Sequence, residues 1–232
     1  MLNRYSLPLC NFDGSPTNEK PSVNKIICIG RNYAEHAREM GHDPEREPPF
    51  FFFKPQSALA QNNADFIYPH FSQQVEYEIE LVVAIGKSGA KIPTVEAADY
   101  VAGFGVGLDM TCRDIQKEAK KLGRPWELAK GFDGSAPCTA IQSGTLADLA
   151  QFGDLVLTRN GEEVQRGNWR TMVWSIPELI VEVSRFIKLE AGDLIFTRTP
   201  AGVGPVKPGD KLCARLEGFA QELNILIAKK QG

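Results

Sequence analysis

The chain has 232 residues, 43% hydrophobic and 24% charged, the balance of an ordinary globular protein able to bury one sizeable core. A formal net charge of −3 gives no basic excess, which argues against a partner made of nucleic acid. No apolar run approaches the ~20 residues that span a bilayer, so no membrane role is expected.

Residues 1–23 are polar and broken by prolines. They read as a loose N-terminal arm without the apolar stretch of a signal peptide, and residues 24–232 as a single catalytic domain. The arm leads into a strand, "KIICIG". A short helix is predicted over "NYAEHAREMG", stopping at Gly41, followed by a charged, proline-rich loop, "HDPEREPP". "FFFFKPQSAL" resumes the core. "VEYEIELVVAIG" (75–86) and "YVAGFGVGLDM" (100–110) are predicted as strands. "TCRDIQKEAKKLG" reads as a helix, with Thr111 and Asp114 as its cap pair and Ile115, Ala119 and Leu122 on one face. The strongest helical period covers 176–187, with Ser175 and Glu178 as a capping box. Around it lie short strands, one pair joined by the Asn160–Gly161 turn. Many strands, few helices and no regular βαβ alternation predict an α+β fold. Five scattered cysteines (Cys10, Cys28, Cys112, Cys138 and Cys213) form no CxxC pair and read as reduced thiols of a cytoplasmic protein.

The strand at 75–86 carries the most pointed signal. Glu76, Glu78 and Glu80 alternate with apolar residues, so their carboxylates share one face, with neighbours about 7 Å apart. Either that face is wet, the commonest use of alternating glutamate, or something positive sits between the charges. Two details favour the second reading. Val82 and Ala84 continue the same face, which therefore turns apolar beside the carboxylates, where an unpaired charge is costly. In "AGFGVGLDM", Gly103, Gly105 and Gly107 share strand parity with Asp109 and leave a bare face that suits close approach of backbone or ligand. Glu78, Glu80 and Asp109 would then form an all-oxygen cluster, which suits Mg²⁺, Mn²⁺ or Ca²⁺.

Cations and amides follow the aspartate. Arg113 and Gln116 stand i, i+3 on the predicted helix, opposite its apolar face, and Lys130 sits in "LAKGFDGSAP". Each alone reads as a solvated side chain; as a set beside a metal they suit an anionic, oxygen-rich ligand. His36 and Glu39, also i, i+3, are either a surface pair or an imidazole oriented by a carboxylate to act as a base.

The segments "GRNYAEHAREMG", "EPPFFFFKPQSAL", "YEIELVVAIGK", "GVGLDMTCRDIQ", "GRPWELAKGFDGSAP" and "GDLIFTRTPAGVGPVKPGD" resemble the fumarylacetoacetate hydrolase family, in the family's order, from about residue 24 almost to the C-terminus. Within it the chain is most similar to fumarylpyruvate and other acylpyruvate hydrolases. The resemblance implies a β-rich mixed-sheet roll with a few helices, usually a homodimer. It implies Mg²⁺ or Mn²⁺ on Glu78, Glu80 and Asp109, a lid carrying His36 and Glu39, and substrate contacts from Arg113, Gln116, Lys130 and Thr199. The family's usual "TGTP" is "TRTP" here, so Arg198 replaces a glycine and either reshapes the pocket or supplies a cation for a longer dicarboxylate. Glu76 and Tyr77 stand where many relatives carry a histidine.

The implied activity is hydrolysis of the C3–C4 bond of a 2,4-dioxo acid, with fumarylpyruvate giving fumarate and pyruvate. His36 would activate water, while the metal and Lys130 stabilise the departing enolate. Alternatives are a decarboxylase of oxaloacetate or a related 2-keto acid, an isomerase of unsaturated 2-keto acids, and an inactive homologue that binds a keto acid.

Overall fold

The computed structural model describes residues 5–30, 32–33 and 48–229. Three sheets dominate these residues. The largest has nine strands, and its main path runs Leu9–Cys10, Ile141–Ser143, Val101–Leu108, Ile79–Ile85, Leu194–Phe196, Ile26–Gly30, Phe50–Lys54. A five-stranded sheet contains the Leu155–Arg159 and Glu162–Gly167 hairpin with Lys211–Leu216, Glu222–Ala228 and Phe66–Ile67. A three-stranded sheet joins Gly204–Pro205, Val75–Tyr77 and Thr111–Cys112. Both parallel and antiparallel pairs occur in the large sheet, so the fold is the expected β-rich α+β type.

The glutamate strand and the glycine strand lie side by side, antiparallel, at the centre of the large sheet. Ile79, Leu81, Val83 and Ile85 meet Phe104, Val106 and Leu108 in the main core. Val82 and Ala84 face a smaller second core that includes Ile26, Cys28, Ile141 and Phe196. A strand buried on both sides offers no wet face, and this decides the choice left open by the alternating glutamates. The glycine face is filled by protein. A Cβ on Gly103 would stand 2.3 Å from the Gln142 carbonyl oxygen, and one on Gly107 2.5 Å from the Phe196 ring. The cleared face thus admits a neighbouring strand and an aromatic ring, not a ligand.

The described part of the arm, residues 5–23, packs on the large sheet. Leu9–Cys10 pairs in parallel with Ile141–Ser143, and Leu7, Cys10 and Val23 are buried. Its prolines interrupt any alternation that would have revealed the strand. The Ile176–Phe186 helix forms as the period predicts, with the Ser175 backbone N–H donating to Glu178 at 2.9 Å. The hairpin turns through Asn160 and Gly161, both at positive φ. Among the described residues no helix is long and apolar enough to cross a membrane, and the five cysteines are all free.

Candidate metal and substrate site

The site lies where the two central strands part from each other. Pairing runs from Ile79–Leu108 to Ile85–Val101, whereas Val75 and Glu76 pair instead with Cys112 and Thr111. Glu78 and Asp109 occupy the two gaps, linked by the Asp109 N–H donating to the Glu78 carbonyl at 2.9 Å. Strand parity holds Glu80 two residues further on, opposite Gly107. One carboxylate oxygen from each of Glu78, Glu80 and Asp109 lies within 4.8 Å of the others, and all three side chains are buried.

Among the described residues, four basic side chains stand among these carboxylates. Lys130 Nζ contacts Asp109 Oδ2 at 2.6 Å and Glu78 Oε2 at 3.2 Å. Arg113 donates to Glu78 Oε1 and to Glu76 Oε2, both at 2.6 Å, and to Gln116 Oε1 at 2.7 Å. Lys54 Nζ lies 2.8 Å from Asp109 Oδ1, and Arg198 Nη1 lies 3.8 Å from Glu78 Oε2. Glu80 differs from its neighbours: it accepts the Arg198 backbone N–H at 2.9 Å, and no basic side chain of the described residues pairs with it.

Protonation follows from this layout. Burial alone would raise Glu78, but Lys130, Arg198 and Arg113 together hold its carboxyl well below the ordinary range. Burial, then the charges of Asp109 and Glu78, push Glu80 well above it. A carboxylate that lacks a cation of its own, beside two others, is the arrangement a divalent ion would relieve. Glu78 Oε2 is buried without a hydrogen bond, and every donor is a carboxylate oxygen. That donor set fits a hard cation such as Mg²⁺ or Mn²⁺ and does not suit a thiolate- or imidazole-seeking metal.

The sequence-predicted residues come together unevenly. Glu78, Glu80, Asp109, Arg113, Gln116 and Lys130 form one buried network. Arg198 reaches it through both backbone and side chain. Thr199 is buried beside it in sequence, and its hydroxyl accepts from Gln165 Nε2 at 3.0 Å. His36 and Glu39, with the helix predicted around them, lie outside the described residues. Asn32, which is described, is buried and donates to the Trp174 and Thr197 carbonyls, each at 3.1 Å.

The predicted helix cap is different. The helix spans Arg113–Lys121, and Asp114 instead accepts from Ser72 Oγ at 2.6 Å and the Gln73 N–H at 2.8 Å. Thr111 belongs to the site, where its hydroxyl accepts from Lys130 Nζ at 2.6 Å. Arg113 and Gln116 make the helix's polar side a buried one, while Leu122, placed on the apolar face by its period, is exposed. Glu76, read in the sequence as the third carboxylate of the strand but outside the ligand set, is the second partner of Arg113. Lys54, which is buried, escaped sequence reasoning. The only sequence signal for Lys54 is a lysine that closes an apolar strand, "FFFFK".

Fold and site together define an enzyme class, and the comparisons name it. The sequence profile described as fumarylacetoacetate (FAA) hydrolase C-terminal matches residues 25–225. The chain belongs to the fumarylacetoacetate hydrolase family. Among solved structures it is similar to fumarylpyruvate hydrolase from Pseudomonas aeruginosa in complex with Mn²⁺ and pyruvate. The TM-score is 0.90 at 39% identity, over 99% of both chains. Among curated proteins it is 44% identical to the mitochondrial oxaloacetate tautomerase FAHD1 of Mus musculus, over 83% of this chain and 87% of that one. It is 40% identical to the mitochondrial oxaloacetate decarboxylase of Dictyostelium discoideum, over 89% and 95%.

Proposed function

We propose that this protein is a divalent-metal-dependent acylpyruvate hydrolase, with fumarylpyruvate as its preferred substrate, giving fumarate and pyruvate. The observation that carries this reading is the Glu78–Glu80–Asp109 cluster with Lys130 and Arg113 against it. It is supported by a relative, similar over nearly its whole length, that is named for this reaction and holds Mn²⁺ and pyruvate. The 2,4-dioxo acid offers a C1 carboxylate and a C2 keto oxygen to the site.

When bound on Glu78, Glu80 and Asp109, Mg²⁺ or Mn²⁺ would supply Lewis acidity towards those two oxygens. Arg113, fixed by Glu76, Glu78 and Gln116, orients the acidic end of the substrate. His36, oriented by Glu39, takes a proton from a water that attacks the C4 carbonyl. The C3–C4 bond then breaks, its electron pair staying on C3 as the enolate of pyruvate, and the C4 fragment leaves as a carboxylate. The Lys130 ammonium faces the developing negative charge, and protonation at C3 completes pyruvate. Arg198 meets the distal carboxylate of the acyl chain. Its Nε is buried without a hydrogen bond and so holds a donor in reserve.

A second reading has its own support in the curated relatives named for oxaloacetate chemistry. Oxaloacetate presents the same 2-keto acid head and a second carboxylate, and enol–keto exchange or decarboxylation passes through the same enolate without an attacking water. Pyruvate and fumarate released from fumarylpyruvate in equal amounts, with Mn²⁺ and not with a chelator, is the result expected of the hydrolase. Loss of the oxaloacetate enol absorbance with no turnover of fumarylpyruvate would replace it by the second reading.

A further inference from the structure

Lys54 takes no part in the reaction steps, yet it is as deeply enclosed as Lys130. Its side chain has no exposed surface. Its Nζ contacts Asp109 Oδ1 at 2.8 Å, and Ser135 through both the carbonyl and the hydroxyl oxygen at 3.0 Å. It also donates to the carbonyl of Lys130, and to that of Met110 at 3.4 Å. The Phe132 ring closes the remaining side, 5.9 Å away. An ammonium has three hydrogens; here four oxygens accept from it, and Asp109 Oδ1 stands beside it as an ion partner without a hydrogen bond.

Those segments are the ones the site depends on. Lys130 ends a helical turn of four residues, Glu127–Lys130, too short to hold its own geometry. The loop that follows returns at Ser135, whose hydroxyl also donates to the Lys130 carbonyl at 2.8 Å. Lys54 itself ends the Phe50–Lys54 strand, fixed in the large sheet by pairing with Ile26. Two backbone bonds also fasten this loop, Met110 N–H to the Ser135 carbonyl and Gly134 N–H to the Ser57 carbonyl, both at 3.0 Å. The Lys54 ammonium adds the link from the sheet to the Lys130 carbonyl, and it lies against one oxygen of Asp109 while the other faces Lys130.

We infer that Lys54 is a positioning residue: it locks the Lys130–Ser135 loop and the Asp109 carboxylate to the sheet, so that the Lys130 ammonium is held against Asp109 and Glu78. The inference rests on the reading of Lys130 and Asp109 as site groups, and it adds a residue outside the metal-ligand and substrate sets named above.

Hydrogen exchange on the full chain tests it without needing the reaction. In Lys54→Met, backbone exchange over 127–135 should accelerate by about tenfold or more, while the strand at 79–85 keeps its protection. With fumarylpyruvate and Mn²⁺, kcat should fall about 100-fold with KM little changed, the scale of a misplaced catalytic group. In Lys54→Ala, propylammonium should restore part of that loss. Unchanged exchange at 127–135 would overturn the inference. So would activity that falls only in proportion to the fraction of protein unfolded. Should both neutral variants fail to fold, Lys54→Arg keeps the charge but not the fit. Near-normal melting with lost turnover and local loosening at 127–135 is then expected, and unchanged turnover overturns the role. If the wild-type protein leaves fumarylpyruvate untouched, the proposed function fails while the exchange arm still decides on Lys54.

Discussion

The backbone N–H of Arg198 donates to Glu80 Oε2 at 2.9 Å from a residue whose φ is +98°. Only glycine adopts that conformation without strain; for other residues the cost is on the order of 1–3 kcal/mol. The sequence expectation that Arg198 stands where a glycine is at home therefore has a physical basis. The strain brings a guanidinium to the edge of the carboxylate cluster, 3.8 Å from Glu78.

Arg198→Gly should fold at least as well as the wild type, since relief of strain offsets the added freedom of the unfolded chain. Binding of fumarylpyruvate should weaken about tenfold, equivalent to about 1.4 kcal/mol. A monocarboxylic acylpyruvate should bind nearly as before. Steady-state KM values for the two substrates make the comparison, and an equal effect on both would remove carboxylate recognition from Arg198.

Glu80 gives the cleanest test of the metal site, because no described basic side chain pairs with it and its replacement strands no buried cation. Glu80→Gln should lower Mn²⁺ affinity at least about tenfold in titration calorimetry, with turnover lost in parallel. Wild-type affinity in this variant would take Glu80 out of the ligand set.

His36 is assigned from the sequence alone. His36→Ala should reduce fumarylpyruvate hydrolysis by about 10²–10⁴-fold, the range for loss of a general base, with Mn²⁺ binding unchanged. Oxaloacetate chemistry needs no activated water and should survive better. Hydrolysis at near-normal rate would sink His36 as the base.

Gly107 sits opposite Glu80, and an added Cβ would stand 2.5 Å from Phe196 and 2.8 Å from Val82. Gly107→Ala should destabilise by about 1–3 kcal/mol through overpacking, read as a lower denaturation midpoint. A variant of unchanged stability would mean that the glycine face is not filled by protein as described.

Much of this molecule is written locally. Alternation across 75–86 and glycine parity across 100–110 specify the two central strands, and the 176–187 period specifies its helix, because neighbouring residues alone set these patterns. The residue types of Glu78, Glu80 and Asp109 specify what kind of cation they would hold if brought together, since oxygen-only donors suit a hard one. The sequence could not say whether those carboxylates faced water. That depended on a second core forming behind Val82 and Ala84 from strands as distant as Ile26–Gly30 and Leu194–Phe196. Nor could it reveal Lys54, whose partners lie between 55 and 81 residues further along the chain. Alone, a lysine after four phenylalanines is a strand end reaching for water. Burial among backbone carbonyls makes it a structural cation, and only the folded chain brings those carbonyls to it.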